Sequence, residues 1–514
     1  MSLPQPASGH NSPLTDEPRV PGAVSTGVAL RTAFALLRMS TVLAALLLPG
    51  TVPASAADFG LSGGYVLRER SDWNVADPSL LFAPPKVKKF LGEDSFDPVD
   101  THRLLAWAFA RGVMTLGDRF SAVASLDTTA LSLDLTGGGP FSATSSDSIL
   151  LADGGTVEEA AGNAAFVREL YFDLVALPSD ALLVSAGKRR STILGGLLYD
   201  DYGVSAEIQW DIVADGRWSL TATTLALLPQ TALGRLDPAL SLGGGRIGWS
   251  FRGTVLLEVG ALWLRDRSGL VPGMMRDMLA TELMASGRWG AGAAVLEKPI
   301  AGEADIATVH ASAEVDFGVA GARILAAFQA GTVDLENLSN GKVTSGRPAG
   351  NALLVETPVT PVPELRITPF LLRVSGSAKG QWTDDRQLGS FVTLAPLFGR
   401  AAMFLGGDID PALTRRDFRC LGLGARGVSA AGLDARWEPL DRLRLGHSTT
   451  VLGHARSGDG VASAEYGVEL DTWAVVGVLS WLDVRAEVDM LVPGEYFGDS
   501  ESMVRLSAGV EGTF

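Results

Sequence analysis

Apolar and charged side chains alternate strictly along several segments of this chain, and no other sequence feature limits the fold as much. In the clearest segment, 482–492, the apolar positions share one face and the charged residues share the other: Asp483, Arg485, Glu487 and Asp489. A helix would spread these charges around its circumference, whereas a β-strand separates the two sets completely. The segments 206–212, 311–319 and 468–474 repeat the pattern. The sequence therefore predicts an all-β protein.

Short turn signals divide the alternating segments into hairpins. They lie at Gly117-Asp118, Pro178-Ser179-Asp180, Asp215-Gly216, Gly253, Ser286-Gly287, Ala320-Gly321, Pro439-Leu440-Asp441 and around Gly477. Longer connections rich in Gly, Asp and Ser, such as 137–162 and 337–363, separate the hairpins. This arrangement predicts an antiparallel transmembrane β-barrel of about 18 strands (16–20), with short periplasmic turns and long extracellular loops. The region 334–430 is compatible with another hairpin or with loops only.

Two other β architectures are less consistent with the sequence than the barrel. A soluble β-sandwich also alternates, but its strands are usually shorter and its interior is dry. A repeat protein would show a fixed period, which the sequence lacks. Mean hydropathy is +0.22 although 19% of the residues are charged. Apolar residues facing lipid and charged residues facing an enclosed lumen account for that combination, and after residue 56 no window predicts a transmembrane helix.

The first 56 residues have the order of a secretory signal. A polar, Pro-containing stretch is followed by Arg31 and Arg38, by the apolar run 42–48 and by Ala54-Ser55-Ala56. This order predicts an N-terminal extension and signal peptide over 1–56, cleaved after Ala56, because the apolar run is too short to span a bilayer. Residues 57–514 are then predicted to form a single outer-membrane β-barrel domain.

The end of the chain resembles the C-terminal assembly signal of bacterial outer-membrane barrels. Phe514 is preceded by apolar residues or glycine at alternate positions, from Gly512 back to Val504. The resemblance implies export to the outer membrane of a Gram-negative bacterium and recognition of the last strand by the outer-membrane assembly machinery. Outer-membrane lipid and lipopolysaccharide would then be further partners.

Two further groups of segments resemble the alginate-export family. One is 466–471 (YGVELD), followed by 482–497, which ends in PGEYF; the other comprises 167–173 (VRELYFD), 187–190 (GKRR) and 196–204 (GLLYDDYGV). The resemblance covers about a quarter of the chain and is stronger for a porin-like channel than for alginate. It implies an 18-stranded barrel whose charged lumen passes an anionic polysaccharide or small polar or anionic solutes.

Charged residues on the polar faces are the candidate pore lining. The predicted set is Glu169, Asp173, Arg189, Asp201, Glu207, Asp211, Arg252, Arg323, Arg373, Arg436, Arg442, Arg444, Glu469, Asp471, Arg485, Glu487 and Asp489. Arg436, Arg442 and Arg444 form its densest basic cluster. Rings of fixed charge select ions by sign, whereas a ladder of paired charges only stiffens the wall. Both interpretations remain open at this stage.

Other function classes are less consistent with the sequence. The net charge of −16 disfavours a nucleic-acid partner. The single cysteine, Cys420, excludes a disulfide framework, and neither a metal nor a cofactor motif is present. Gly60-Leu61-Ser62-Gly63-Gly64 matches a nucleophile motif by letter but lacks the helix that should follow. His102, His310 and His454 have no recognisable partner motif, and His447 has the lipid-facing phase. We therefore predict no enzyme. A structural or adhesive barrel with functional loops is the main alternative to a channel, and a barrel-embedded hydrolase is the less favoured one.

Overall fold

A computed structural model describes most of the predicted barrel domain. The described residues are 57–73, 101–128, 131–134, 165–176, 182–214, 218–229, 238–269, 271–273, 276, 300–337, 342–376, 387–394, 400, 427–455, 465–494 and 501–514. The predicted signal segment 1–56 lies outside them, as do the connection 137–162 and Ser286-Gly287. No helix within these ranges is long and apolar enough to cross a membrane.

Eighteen antiparallel strands form the wall of a closed barrel. The first nine are β1 (Ala57–Trp73), β2 (Thr101–Leu116), β3 (Phe120–Thr128 and Leu131–Asp134), β4 (Ala165–Val175), β5 (Leu182–Ile193), β6 (Tyr199–Ala214), β7 (Trp218–Pro229), β8 (Leu240–Phe251) and β9 (Val255–Asp266). The others are β10 (Ile300–Asp316), β11 (Gly321–Asn337), β12 (Lys342–Pro348, Asn351–Glu356 and Val359–Val362), β13 (Leu365–Ser375), β14 (Gly427–Leu440), β15 (Leu443–Gly453), β16 (Glu465–Leu479), β17 (Leu482–Pro493) and β18 (Met503–Thr513).

Each wall strand pairs with the strands before and after it in the sequence. The barrel closes because β1 pairs with β18 as well as with β2, in a register that runs from Gly64 opposite Thr513 to Trp73 opposite Val504. Closure leaves no unpaired sheet edge, so every wall strand finds its backbone partners within the sheet. The prediction of a closed antiparallel barrel of about 18 strands is thereby confirmed, while the lengths of its extracellular loops stay a prediction.

The turn predictions differ from the structure in three places. Gly477 lies inside β16, and the turn to β17 follows at residues 480–481. The predicted long connection 337–363 is wrong, because most of it forms β12. The undecided region 334–430 contains a hairpin, in which β12 and β13 are joined at Pro363-Glu364. The turn signals at Pro178-Ser179-Asp180 and Asp215-Gly216 lie outside the described residues.

The two faces of the wall differ in the opposite sense to those of a soluble protein. The outward face is apolar: Val259, Val309 and Phe328 are 57%, 58% and 63% exposed. Polar neighbours on the inward face, such as Thr308 and Gln329, are nearly inaccessible. Outward aromatic residues gather at the end with the short turns, where Trp218 lies 5.0 Å from Trp249 and 4.5 Å from Phe251 between ring centroids. We call this end the turn end and the opposite one the loop end.

Two connections from the loop end fold against the inward face of the wall. One is residues 194–198 between β5 and β6; the other is residues 389–394, which follow the short strand Gln387–Leu388 after β13. We call them the inner segments. Leu197, Leu198, Phe391 and Leu394 are fully buried or nearly so, in one apolar cluster with inward residues of β7 to β18. The interior is therefore partly filled by the chain itself.

Candidate functional site

Alternation on the wall strands brings charged residues of opposite sign together on the inward face. Nε of Arg111 on β2 lies 3.3 Å from Oε2 of Glu169 on β4. Further along, Arg189 on β5 lies between Asp173 on β4, at 3.9 Å, and Glu207 on β6, with which it forms a close ion pair. Arg111 thus pairs with a carboxylate across β3, and Arg189 pairs with carboxylates on the two strands beside it.

The sequence of paired charges continues through the middle strands. Arg246 on β8 lies 3.5 Å from Glu207 and 3.3 Å from Glu258, so it joins carboxylates of β6 and β9. His310 on β10 approaches Glu258 to 3.6 Å, where a Cβ on Gly260 would lie only 2.5 Å from the imidazole. A glycine is therefore required opposite this histidine. We call the pairs from Arg111 to His310 the charge ladder.

A second ionic group surrounds Arg400, which lies in the connection between β13 and β14. Arg400 forms an ion pair with Glu356 on β12, lies 3.9 Å from Asp434 on β14 and stacks 4.8 Å from the ring centroid of Phe370. Its carbonyl accepts hydrogen bonds from Ser448 and Thr450 on β15, at 2.9 and 2.6 Å. One residue of the β13–β14 connection is thus bound to four wall strands.

The inner segments are held to the wall and to each other by main-chain hydrogen bonds. Gln329 on β11 accepts the Val392 N–H at 2.7 Å and donates to the Val392 carbonyl at 2.8 Å. Phe391 N–H donates to Ser375, and Leu394 N–H donates to Leu198 at 2.9 Å. Because one segment enters between β5 and β6 and the other after β13, their contact at Leu198 and Leu394 occupies part of the interior between distant wall strands.

Most of the predicted pore-lining residues lie on the inward face. By strand register these are Glu169, Asp173, Arg189, Asp201, Glu207, Asp211, Arg323, Arg436, Arg444, Glu469, Asp471, Arg485, Glu487 and Asp489. Glu469 and Asp489 are almost completely inaccessible, and Arg485 lies 3.5 Å from Glu487. The structure groups these charges, while their role in lining an open pore stays a prediction.

The prediction that Arg252, Arg373 and Arg442 lie on the inward face is wrong. Arg252 and Arg442 lie in the turns that follow β8 and β14, where strand alternation no longer determines the direction of a side chain. Arg373 lies on the outward face of β13 beside exposed Leu371, because Leu372 and Val374 occupy the inward positions.

The predicted basic cluster is consequently divided. Arg444 pairs with Asp483 at 2.7 Å and Arg436 with Asp434 at 3.5 Å, while Arg442 stays in the turn. What looked in the sequence like a concentration of positive charge is therefore two separate ion pairs and a turn residue.

The sequence did not predict half of the charge ladder, nor the ionic group around Arg400. The unrecognised residues are Arg111, Arg246, Glu258, His310, Glu356, Arg400 and Asp434. Arg246 follows three glycines, so its strand shows no alternation of apolar and polar residues. Glu258 and Glu356 are single carboxylates in phase with apolar neighbours such as Leu256 and Leu354, and Arg400 lies in a connection without any periodic signal.

Phe514 lies at the point where the barrel closes. Its N–H donates to the Gly63 carbonyl at 2.9 Å, its carbonyl accepts from Gly63 N–H at 3.0 Å, and its side chain is 79% exposed on the outward face. A Cβ on Gly63 would lie 2.8 Å from the Phe514 ring, so glycine leaves room for it. Recognition of Phe514 during assembly stays a prediction.

Comparison with known proteins finds similar barrels of known structure only. No family model matches the chain, and no curated protein sequence does. It is similar to OccK9 (OpdG) of Pseudomonas aeruginosa, at 12% identity over 89% of this chain and 98% of that one, with a TM-score of 0.47. It is also similar to OccK5 (OpdH) of the same species (8%, 88% and 98%, TM-score 0.43) and to the outer membrane channel DcaP of Acinetobacter baumannii (12%, 91% and 100%, TM-score 0.36).

Proposed function

We propose that the protein is an outer-membrane channel of a Gram-negative bacterium that conducts small polar and charged solutes. The observation that carries the proposal is the inverted wall, with the charge ladder inside and apolar side chains outside. Ionised groups on strand after strand are too costly for a dry apolar core, so they require either water or mutual pairing. A partly hydrated lumen provides both.

The outward face supports the membrane location. A closed barrel satisfies its backbone hydrogen bonds internally, as a bilayer requires. Exposed apolar side chains cover the wall, and an aromatic group that includes Trp218 and Trp249 lies at the turn end. An apolar band bordered by aromatic residues is typical of outer-membrane barrels.

The interior favours small solutes over a polymer. The inner segments narrow the passage, which supports solutes of low molecular weight rather than the anionic polysaccharide that the alginate-export resemblance implies. The charge ladder alternates in sign and its members are paired, so it contains no ring of one sign. Since single-sign rings are what select ions strongly, we expect weak discrimination between anions and cations.

Conductance of the refolded protein in planar bilayers tests the proposal. We expect discrete conductance steps and, in asymmetric salt, a reversal potential close to zero. An absence of steps from protein that shows the heat-modifiable mobility of a closed barrel would contradict a channel. A strongly positive or negative reversal potential would leave the channel in place and contradict weak selectivity.

The same measurement tests the second candidate, a structural or adhesive barrel. Its support is the complete burial of Phe391, Val392 and Leu394 inside the barrel. If the inner segments close the lumen, removal of 389–394 should create conductance that the intact protein lacks.

Lipopolysaccharide is a further proposed partner, at the loop end. Arg168, Lys188 and Arg190 lie close together on β4 and β5, with Arg168 5.6 Å from the Tyr202 ring and Arg190 bonded to Asp200 at 2.7 Å. Three cations beside the carboxylates of Asp200 and Asp201 suit the phosphates of an outer-leaflet glycolipid. By contrast, Arg267 after β9 contacts Glu303 and Asp305, and the hydrogen bond that it donates to Asp305 raises the pKa of Arg267 above its ordinary value. We expect the Lys188→Gln variant to bind less lipopolysaccharide than the Arg267→Gln variant.

A further inference from the structure

Ser71, His102 and Glu69 form a connected group on the outward face of β1 and β2, which we call the outward triad. Oγ of Ser71 is in hydrogen-bond contact with Nδ1 of His102, and Nε2 of His102 lies 3.1 Å from Oε1 of Glu69. The strand register pairs Ser71 directly with His102, and Glu69 precedes Ser71 on the same face. A hydroxyl, an imidazole and a carboxylate thus follow one another in the order used for nucleophilic catalysis.

The surroundings of the outward triad are apolar. Its neighbours on the same face are partly exposed hydrophobic residues: Leu67, Trp73 and Leu506. Hydrogen bonds are stronger where few water molecules compete for the donors and acceptors. The triad therefore has the low-polarity setting in which an imidazole can remove a proton from a serine hydroxyl.

The height of the triad on the wall places it at a membrane boundary. Phe59, 68% exposed at the turn end, and Ser71 lie on the same strand. Their separation is about 40 Å along the strand, or about 30 Å along the barrel axis at a strand tilt near 40°. That distance matches the hydrocarbon core of a bilayer, so Ser71 lies at the level of the ester linkages of lipids.

We propose that the outward triad is a catalytic site for hydrolysis of carboxylic esters of membrane lipids, a proposal that rests on the membrane location given above. Ser71 is the nucleophile, His102 is the general base and Glu69 is a positioning residue that holds the imidazole through Nε2. Trp73, the next residue on the same face, supplies an indole N–H to the developing oxyanion.

The reaction proceeds through an acyl-serine. Oγ of Ser71 attacks the ester carbonyl carbon while its proton passes to Nδ1 of His102. The tetrahedral adduct then breaks its bond to the alcohol oxygen, which takes that proton and leaves as lysolipid. Water attacks the acyl-serine, gives a proton to His102 and releases the fatty acid, and Ser71 recovers its proton.

His447 provides a matched control on the same outward face. Its ring is hydrogen-bonded to the hydroxyls of Thr472 and Thr449, at 2.8 and 2.9 Å. It therefore has an imidazole–hydroxyl contact of the same kind, but with threonines and without the carboxylate that completes the outward triad.

Reaction of the full-length folded protein with a fluorophosphonate tests the proposal directly. We expect covalent labelling at Ser71, none at this position in Ser71→Ala, and labelling slower by about a hundredfold in His102→Ala, since a general base contributes at least this factor. His447→Ala should react like the unmodified protein. Glu69→Gln should slow labelling, because the imidazole loses its anionic partner, and Glu69→Asp should restore part of the rate. Hydrolysis of p-nitrophenyl hexanoate should follow the same order and fall in Trp73→Phe.

Absence of labelling in the unmodified protein, or equal labelling in His102→Ala and His447→Ala, would overturn the proposal. Heat-modifiable mobility of each variant establishes that its barrel is folded. Conductance separates this proposal from the channel, because Ser71→Ala should conduct as the unmodified protein does. A protein that is labelled but does not conduct would contradict the channel and leave the esterase assignment standing.

Discussion

The walls formed by β17 and by β13 are built on the same period of two, yet only β17 carries charges along most of its inward face. In β17 the inward residues include Arg485, Glu487 and Asp489, opposite outward Val484 and Val488. In β13 the inward residues towards the loop end are Phe370, Leu372 and Val374, and inward Arg366 lies near the turn end. The difference follows from what each strand meets inside.

The inner segment 389–394 packs against the region of β13, where Phe391 donates to Ser375 and shares an apolar cluster with Leu372. A strand that faces lipid on one side and a packed segment on the other is apolar on both faces. A strand whose inward face meets other charges keeps its alternation. The polarity of the inward face therefore follows what that face meets: an apolar inner segment at the loop-end half of β13 and other charged side chains at β17.

The largest effect is expected from a charge placed on the inward face of β13, where the inner segment 389–394 packs against the wall. Leu372→Asp should lower the free energy of unfolding by about 3–5 kcal/mol, because Leu372 is fully buried among apolar residues and the carboxylate would have no partner there. Urea unfolding in lipid vesicles measures the change. Glu487→Gln on β17 is the matched substitution and should cost clearly less. Equal losses would show that the two walls do not differ in this way.

Reversing the outward face of β17 should have the next largest effect. Ala486→Arg should destabilise the assembled barrel by about 2–4 kcal/mol if the residue faces the bilayer midplane. Arg485→Ala and Glu487→Ala should still assemble and should change ion preference. A membrane-impermeant thiol reagent provides an independent check: cysteine at 485 or 487 should react through the lumen, and cysteine at 484 or 486 should not.

Weakening the attachment of the inner segment 389–394 to the wall should widen the passage. Gln329→Ala removes the two hydrogen bonds to Val392 and leaves buried main-chain groups without their partner, which costs about 1–3 kcal/mol. We expect higher single-channel conductance, because the inner segment 389–394 loses its contact with β11. Unchanged conductance would mean that this segment does not limit the passage.

Interrupting the charge ladder should affect transport more than stability. Arg246→Gln removes the cation between Glu207 and Glu258. Since partly exposed ion pairs contribute only about 1 kcal/mol or less, the barrel should remain stable. The two carboxylates left without it should shift the reversal potential towards cation preference. A shift towards anions would contradict a lumen position for Arg246.

The smallest effect is expected at Arg373, the outward arginine of β13. Arg373→Gln should leave ion preference unchanged, whereas Arg485→Gln on the inward face of β17 should alter it. Reversal potentials in asymmetric salt measure both. A similar change in the two variants would contradict the assignment of Arg373 to the outward face.

Local pattern was sufficient where the two faces of a strand meet different surroundings. Segments 206–212 and 482–492 show their strand character and their inward charges in the sequence because one face is apolar and the other is polar. The hairpin of β12 and β13 lacks a clear alternation because apolar residues occupy both phases of much of its length. For the same reason the charge of Arg373 does not indicate the face on which it lies.

The outward triad shows the same limit for a candidate site. Ser71 and His102 belong to different strands and are separated by a long connection in the sequence, so no spacing motif links them. Their contact arises only from the register of β1 with β2.

The sequence by itself determined the fold class, the approximate number of strands and the face on which most charges lie, because a period of two is a local property of the chain. The tertiary structure decided how the barrel closes, which arginines share carboxylates, and that two connections enter the lumen. Those properties depend on register and on contacts between residues far apart in the sequence. Hydrophobic patterning constrains which face a residue occupies, but only strand pairing determines the residue it meets there.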